Sequence, residues 1–115
     1  MADAAAAGSA PAASASMPPV PLVQAVVDGF VLTGPVTIAT ASAVIEATRS
    51  NWPDSGTAVV DFAGVTEADS AALALMFKWQ RDAERKGRKV VCVNIPANVF
   101  ALARVYGVEE LIPRG

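Results

Sequence analysis

The chain has 115 residues, room for one domain, with 53% hydrophobic residues and a formal net charge of −2, so the whole carries no nucleic-acid signature. It contains no histidine and a single cysteine, Cys92. Those counts exclude histidine-based acid–base chemistry, a Ser-His-Asp triad, most zinc sites and any internal disulfide.

Residues 1–19 (MADAAAAGSAPAASASMPP) are an Ala/Ser/Pro stretch with too little apolar bulk to offset the entropy of ordering a backbone. The composition predicts a disordered tail over 1–19 and one domain over 20–115. Asp3 stands where a secretory leader would carry basic residues, and Gly8, Pro11, Ser14 and Ser16 break the alanines. No apolar run approaches the roughly 20 residues needed to cross a bilayer. The expectation is a cytoplasmic protein.

From residue 20 the texture changes. Residues 20–27 read as a first strand, Asp28-Gly29 as a hairpin turn tolerant of positive φ, and 30–32 as a second strand that Gly34-Pro35 stops. Over 36–51 a loop leads into a helix, with Ile38, Ala41, Val44, Ile45 and Thr48 at helical spacing and Trp52-Pro53 at its end. Asp54-Ser55-Gly56 reads as a turn. The near-continuous apolar run at 57–62 predicts a strand buried on both faces. A helix follows from Ser70, with Gly87 as its stop.

Residues 88–94 (RKVVCVN) form another strand, in which Cys92 reads as a buried, inert thiol. Pro96 opens a helix over 97–106 that Gly107 closes, and 108–112 reads as a short strand or turn. The order β, β, α, β, α, β, α predicts the α/β class. Its expected form is an open mixed sheet of four to five strands, an N-terminal hairpin followed by alternating strands and helices, with three or more helices. The basic cluster Arg81, Arg85, Lys86, Arg88 and Lys89 is interrupted by Asp82 and Glu84. It reads as the charged end of a helix entering a strand rather than as a phosphate-binding stripe.

Asp69-Ser70 lies between a strand's carboxyl end and a helix's amino end, where sites gather in open α/β sheets. A helix amino end offers unpaired N–H groups and partial positive charge, which would favour a phosphate on Ser70. Asp and Ser are also ordinary N-cap residues, and Thr66-x-x-Asp69 fits a rival capping box that starts the helix earlier. For catalysis, the only base beside Ser70 is Asp69; Asp61 and Glu67 read as surface or turn residues. No G-x-S-x-G elbow, P-loop Lys-Ser/Thr pair or metal-spaced carboxylate set is present. The residues therefore argue against an enzyme and point to no cofactor or metal, and no glycine-rich loop supports a nucleotide site.

The stretch VVDFAGVTEADSAALALMFKWQRDAERKGRKVVCVNIPANVFALARVYGVEELIP resembles the STAS domain of anti-sigma-factor antagonists and anion-transporter tails, over residues 30–113. The strand ending at Asp61, the Asp69-Ser70 pair and the closing Gly-Val-Glu-Glu-Leu-Ile carry the resemblance. Leu-Thr-Gly-Pro-Val-Thr at 32–37, Trp79, Val-Asn-Ile-Pro at 93–96 and Leu-Ala-Arg-Val-Tyr-Gly-Val at 102–108 are most similar to the small STAS subunit of Mla-type phospholipid-transport ABC systems.

That resemblance implies a non-catalytic accessory protein, peripheral to the inner membrane through its partner, which would be the ATPase subunit held with permease and substrate-binding subunits. Its expected contact surface is Asp69, Ser70, Ala71, Leu73 and Ala74 with Pro96, Ala97 and Asn98. It needs neither nucleic acid nor direct insertion into the membrane. In the wider family the matching serine is phosphorylated by a partner kinase, which makes a phosphorylation-switched anti-sigma-factor antagonist the alternative. Where that family usually has glycine two residues after the serine, this chain has Ala72, expected to add bulk against a close-approaching kinase. Trp79 reads as a core residue more readily than an interface one.

Overall fold

The computed structural model describes residues 23–49, 52 and 56–114. The tail expected over 1–19, the first strand's opening residues 20–22 and the turn residues 54–55 lie outside the described residues. In chain order the elements are β1 (Val23–Val26), β2 (Gly29–Val36), α1 (Ala41–Thr48), β3 (Thr57–Ala68), α2 (Ser70–Arg85), β4 (Lys89–Val93) and α3 (Ala97–Val105). A 3₁₀ turn over Glu109–Leu111 follows, where a strand or turn was expected. The strands form one mixed sheet in the order β1-β2-β3-β4. The hairpin β1–β2 is antiparallel, and β2–β3 and β3–β4 are parallel, joined through α1 and α2. This is the open α/β sheet that the alternation of elements predicts.

Side chains alternate along the strands. Phe30, Leu32, Ala58, Val60, Phe62, Val90 and Cys92 are buried in one core with Val44, Leu75, Met76, Trp79 and Val99 from the helices. Their strand neighbours Val31, Val59, Asp61, Val91 and Val93 are only half-buried. The apolar run at 57–62 is thus fully buried on one face alone, contrary to the two-sided burial expected of it. Among the described residues, Thr48 is the one buried polar side chain, and its hydroxyl donates to the Val44 carbonyl at 2.9 Å.

Four boundaries depart from the sequence reading. The hairpin turn is Val27-Asp28, one residue early, because Val26 pairs with Gly29. Gly29 is the first residue of β2, and it needs to be glycine for another reason: a Cβ there would run into the Val59 carbonyl oxygen of the adjoining strand. β2 also passes through Gly34-Pro35 to Val36, with register shifts beside both residues. The described pairing with β1 runs from Gly29 to Leu32.

Helix α1 begins only at Ala41. The Thr40 hydroxyl accepts from the Thr37 N–H and donates to the Pro35 carbonyl, both at 2.9 Å, and these bonds hold 37–40 in a turn. β3, finally, runs six residues beyond Phe62. After α3 the chain returns beside β4, where the Cys92 N–H donates to the Pro113 carbonyl at 2.6 Å.

Candidate functional site

β4 ends at Val93, opposite Asp61, whereas β3 continues to Ala68 and stays paired with β2 as far as Val36. Among the described residues, the last part of β3 is therefore one strand of a two-stranded parallel ribbon that projects past β4. From Phe62 to Ala68, six steps along a strand, the chain advances about 20 Å. Asp69 and Ser70 stand at its tip, where β3 hands over to α2.

Asp69 is the N-cap of α2. Its Oδ1 accepts from the Ala71 N–H at 2.8 Å and its Oδ2 from the Ile38 N–H at 3.1 Å, so one carboxylate joins the helix start to the β2–α1 turn. The Thr66–Asp69 capping box does not form, since both Thr66 and Asp69's predecessor Ala68 are still in the strand. Ser70 is the first helical residue, exposed, and its hydroxyl is left out of the cap. With both oxygens of Asp69 accepting backbone N–H groups, that carboxylate is engaged in holding the turn rather than aimed at the Ser70 hydroxyl.

The start of α3 lies beside this tip: the Asn98 side-chain amide donates to the Ala68 carbonyl at 2.8 Å. A second link lies further back, where Asp61 Oδ1 accepts from the Ala63 N–H at 2.8 Å and from the Asn94 amide at 3.0 Å. Asn94 adopts φ +54°, a left-handed conformation that asparagine tolerates, at the turn leading toward α3.

The expected contact residues divide. Ser70, Ala74, Ala97 and Asn98 are exposed, and Asp69, Ala71 and Pro96 are half-buried. Leu73 is 4% exposed and belongs to the core, so it offers nothing to a partner. On a helix, residues three and four apart share a face, which puts Ala74 directly above Ser70 and turns Leu73 inward. Ala72 is likewise buried, at 0% exposure, and its methyl group points into the core rather than into the approach to Ser70. The bulk expected to obstruct a kinase is on the wrong side of the helix. Trp79 is in the core at 2% exposure, edge-on to Trp52 with centroids 6.0 Å apart.

Ile38 was missed. It is 83% exposed, and its N–H is held by Asp69, which sets a large aliphatic side chain at the rim of the site. Its spacing with Ala41, Ile45 and Thr48 disguised it as a core position of a helix that starts three residues later.

The family model described as "Mlab, STAS domain" matches residues 24–113, which takes in the whole fold but for the first residue of β1. No curated protein matches the chain. Among the described residues, no helix is long and apolar enough to cross a membrane.

Proposed function

The chain belongs to the Mlab-type STAS domain family, and from that premise we propose that it is a non-catalytic accessory subunit that docks on the cytoplasmic ATPase of a phospholipid-transport ABC system and supports its assembly or activity. STAS domains work by protein–protein contact, and the observation that carries the reading is the composition of the ribbon tip. Ser70, Ala74 and Ala97 are small and exposed, Ile38 supplies one large apolar side chain, and Asn98 supplies a polar edge. Small side chains on two adjacent helix starts let a partner's backbone approach closely, and an apolar anchor inside a polar rim is the usual anatomy of an interface.

The test is affinity purification of the tagged full chain from its native cells in mild detergent. Co-purification of an ABC ATPase with its permease supports the proposal. Ala74→Arg should then lower affinity by about 30-fold or more, as loss of an interface hot spot does, with an unchanged melting temperature. Recovery of the same ATPase by Ala74→Arg at wild-type level would move the interface elsewhere.

One observation favours a second reading, phosphorylation of Ser70 in an anti-sigma-factor antagonist. The Ser70 hydroxyl is exposed at the first position of a 16-residue helix, and the buried Ala72 leaves its approach clear. A phosphate there would bring nearly two negative charges to the helix amino end. Co-purification of a serine kinase or an anti-sigma factor in place of the ATPase, with release by Ser70→Asp, would establish it.

A further inference from the structure

The large apolar side chains that stand exposed among the described residues are Val26, Val27, Ile38, Val105, Tyr106 and Leu111. Single exposed aliphatics are ordinary on a protein surface, so exposure alone singles out none of them. Ile38 differs in how its backbone is held. Its N–H donates to Asp69 Oδ2 at 3.1 Å, and the Thr40 N–H donates across it to the Thr37 carbonyl at 3.0 Å. The Thr40 hydroxyl ties the same turn to the Pro35 carbonyl at 2.9 Å. A β-branched side chain on a pinned turn has little conformational freedom left to lose on binding. Ile38 is 83% exposed all the same.

The side-chain charge around it has one sign. Glu67, exposed, and Asp69 lie at the ribbon tip, and Asp61 lies further back on β3. No lysine or arginine occurs in 33–41, 62–74 or 94–98, the segments that build the tip. None occurs in 1–22 or 50–55 either, so all nine cations of the chain are among the described residues. Six line a cavity at the carboxyl ends of α1 and α2. Lys78, the nearest of these to Ser70 along α2 at about 12 Å, is held by Asp82 at 2.9 Å. Arg81 lies one turn further along α2. Arg104 pairs with Glu109 at 3.1 Å, and Arg114 stands over the Phe100 ring. The amino ends of α2 and α3 bring about half a positive charge each, which leaves about two negative charges toward the tip.

We propose that the partner meets this tip with a basic surface around an apolar pocket: Ile38 fills the pocket, and the carboxylates of Glu67 and Asp69 steer the approach. The inference rests on the docking reading above and adds the chemistry of the surface that receives the tip. Nucleic acid and the anionic leaflet of a bilayer are both repelled by the same field, which leaves a protein as the occupant. The two parts act at different stages. Complementary charge sets how fast the partners meet, and a buried anchor sets how long they stay together.

In the full chain, a benzophenone amino acid at Ala39, exposed beside Ile38, should cross-link in native cells to a segment of the ATPase that carries lysine or arginine. With the purified ATPase complex, raising salt from about 50 to about 500 mM should slow association at least about tenfold. Glu67→Lys should slow association about threefold or more at low salt and leave dissociation unchanged. Ile38→Ala should speed dissociation about tenfold or more at an unchanged melting temperature, and Ile38→Leu should restore most of the lifetime. An ATPase that co-purifies but is not labelled from position 39, or is labelled on a segment without lysine or arginine, would overturn the inference and leave the docking reading standing. So would association indifferent to salt. Labelling of a basic segment in a different protein, with the same salt and variant effects, would sustain the inference and overturn the docking reading. No labelled protein at all would overturn the inference.

Discussion

Asp69 and Ser70 are neighbours with the same capping chemistry, and the fold gives them different work. Asp69 takes two backbone N–H groups from two segments, whereas the Ser70 side chain takes none. Asp69→Ala should therefore cost about 1–2 kcal/mol in urea unfolding, since it removes the cap and frees the Ile38 N–H. Asp69→Asn should recover part of that loss, and Ser70→Ala should stay within about 0.5 kcal/mol of wild type. A larger loss in Ser70→Ala than in Asp69→Ala would mean the cap is misassigned. The pair was visible in the sequence as a site, but not the division of labour. Which residue caps depends on where β3 stops, and Thr66-Glu67-Ala68 does not look like strand until β2 is known to lie beside it.

Element order was legible because it rests on periodicity, which a single chain carries in full: seven elements stand in the predicted sequence, with the predicted hairpin and crossovers. Boundaries were not, because each depends on a neighbour. β2 passes through Gly34-Pro35 with register shifts beside both, and β3 outruns its apolar stretch, because the two strands continue side by side. The consequence, among the described residues, is a ribbon of two paired strands beyond β4, fastened to α3 through Asn98. Asn98→Ala should raise amide hydrogen exchange at residues 64–68 while leaving the melting temperature nearly unchanged, because the lost bond is exposed and local. A global rise in exchange would show instead that α3 and the ribbon open with the core. If the ribbon tip is the partner surface, the same variant should also weaken partner binding, through the lost polar edge and through the position of the ribbon.

At the scale of the whole molecule, the carboxylates of Asp61, Glu67 and Asp69 lie toward the ribbon tip, and at the other end a cavity is lined by both signs, six basic side chains and Asp82, with Glu46 paired to Arg49 beside it. The run at 81–89 announced part of that cavity, but Arg49 and Lys78 join it only through the packing of α1 against α2, which no local pattern encodes. Between the two ends sits one core, and Cys92 is a native probe of it. The thiol is 1% exposed, and burial pushes its pKa up to about 12 from an ordinary 9.0. The neutral thiol is the form the core holds, so its contribution is intact below pH 9. Between pH 9 and 12 the unfolded chain loses the proton that the folded chain keeps, and stability falls as pH rises, by up to about 1.4 kcal/mol per unit. The comparison must be with Cys92→Ala, which retains every other ionisable group of the chain. Between pH 8.5 and 10.5 the wild type should lose about 2 kcal/mol more of its urea unfolding free energy than Cys92→Ala does. Parallel losses in the two proteins would mean that the thiol ionises without unfolding, through an opening of β4 and the returning strand at Pro113 that leaves the rest of the core in place.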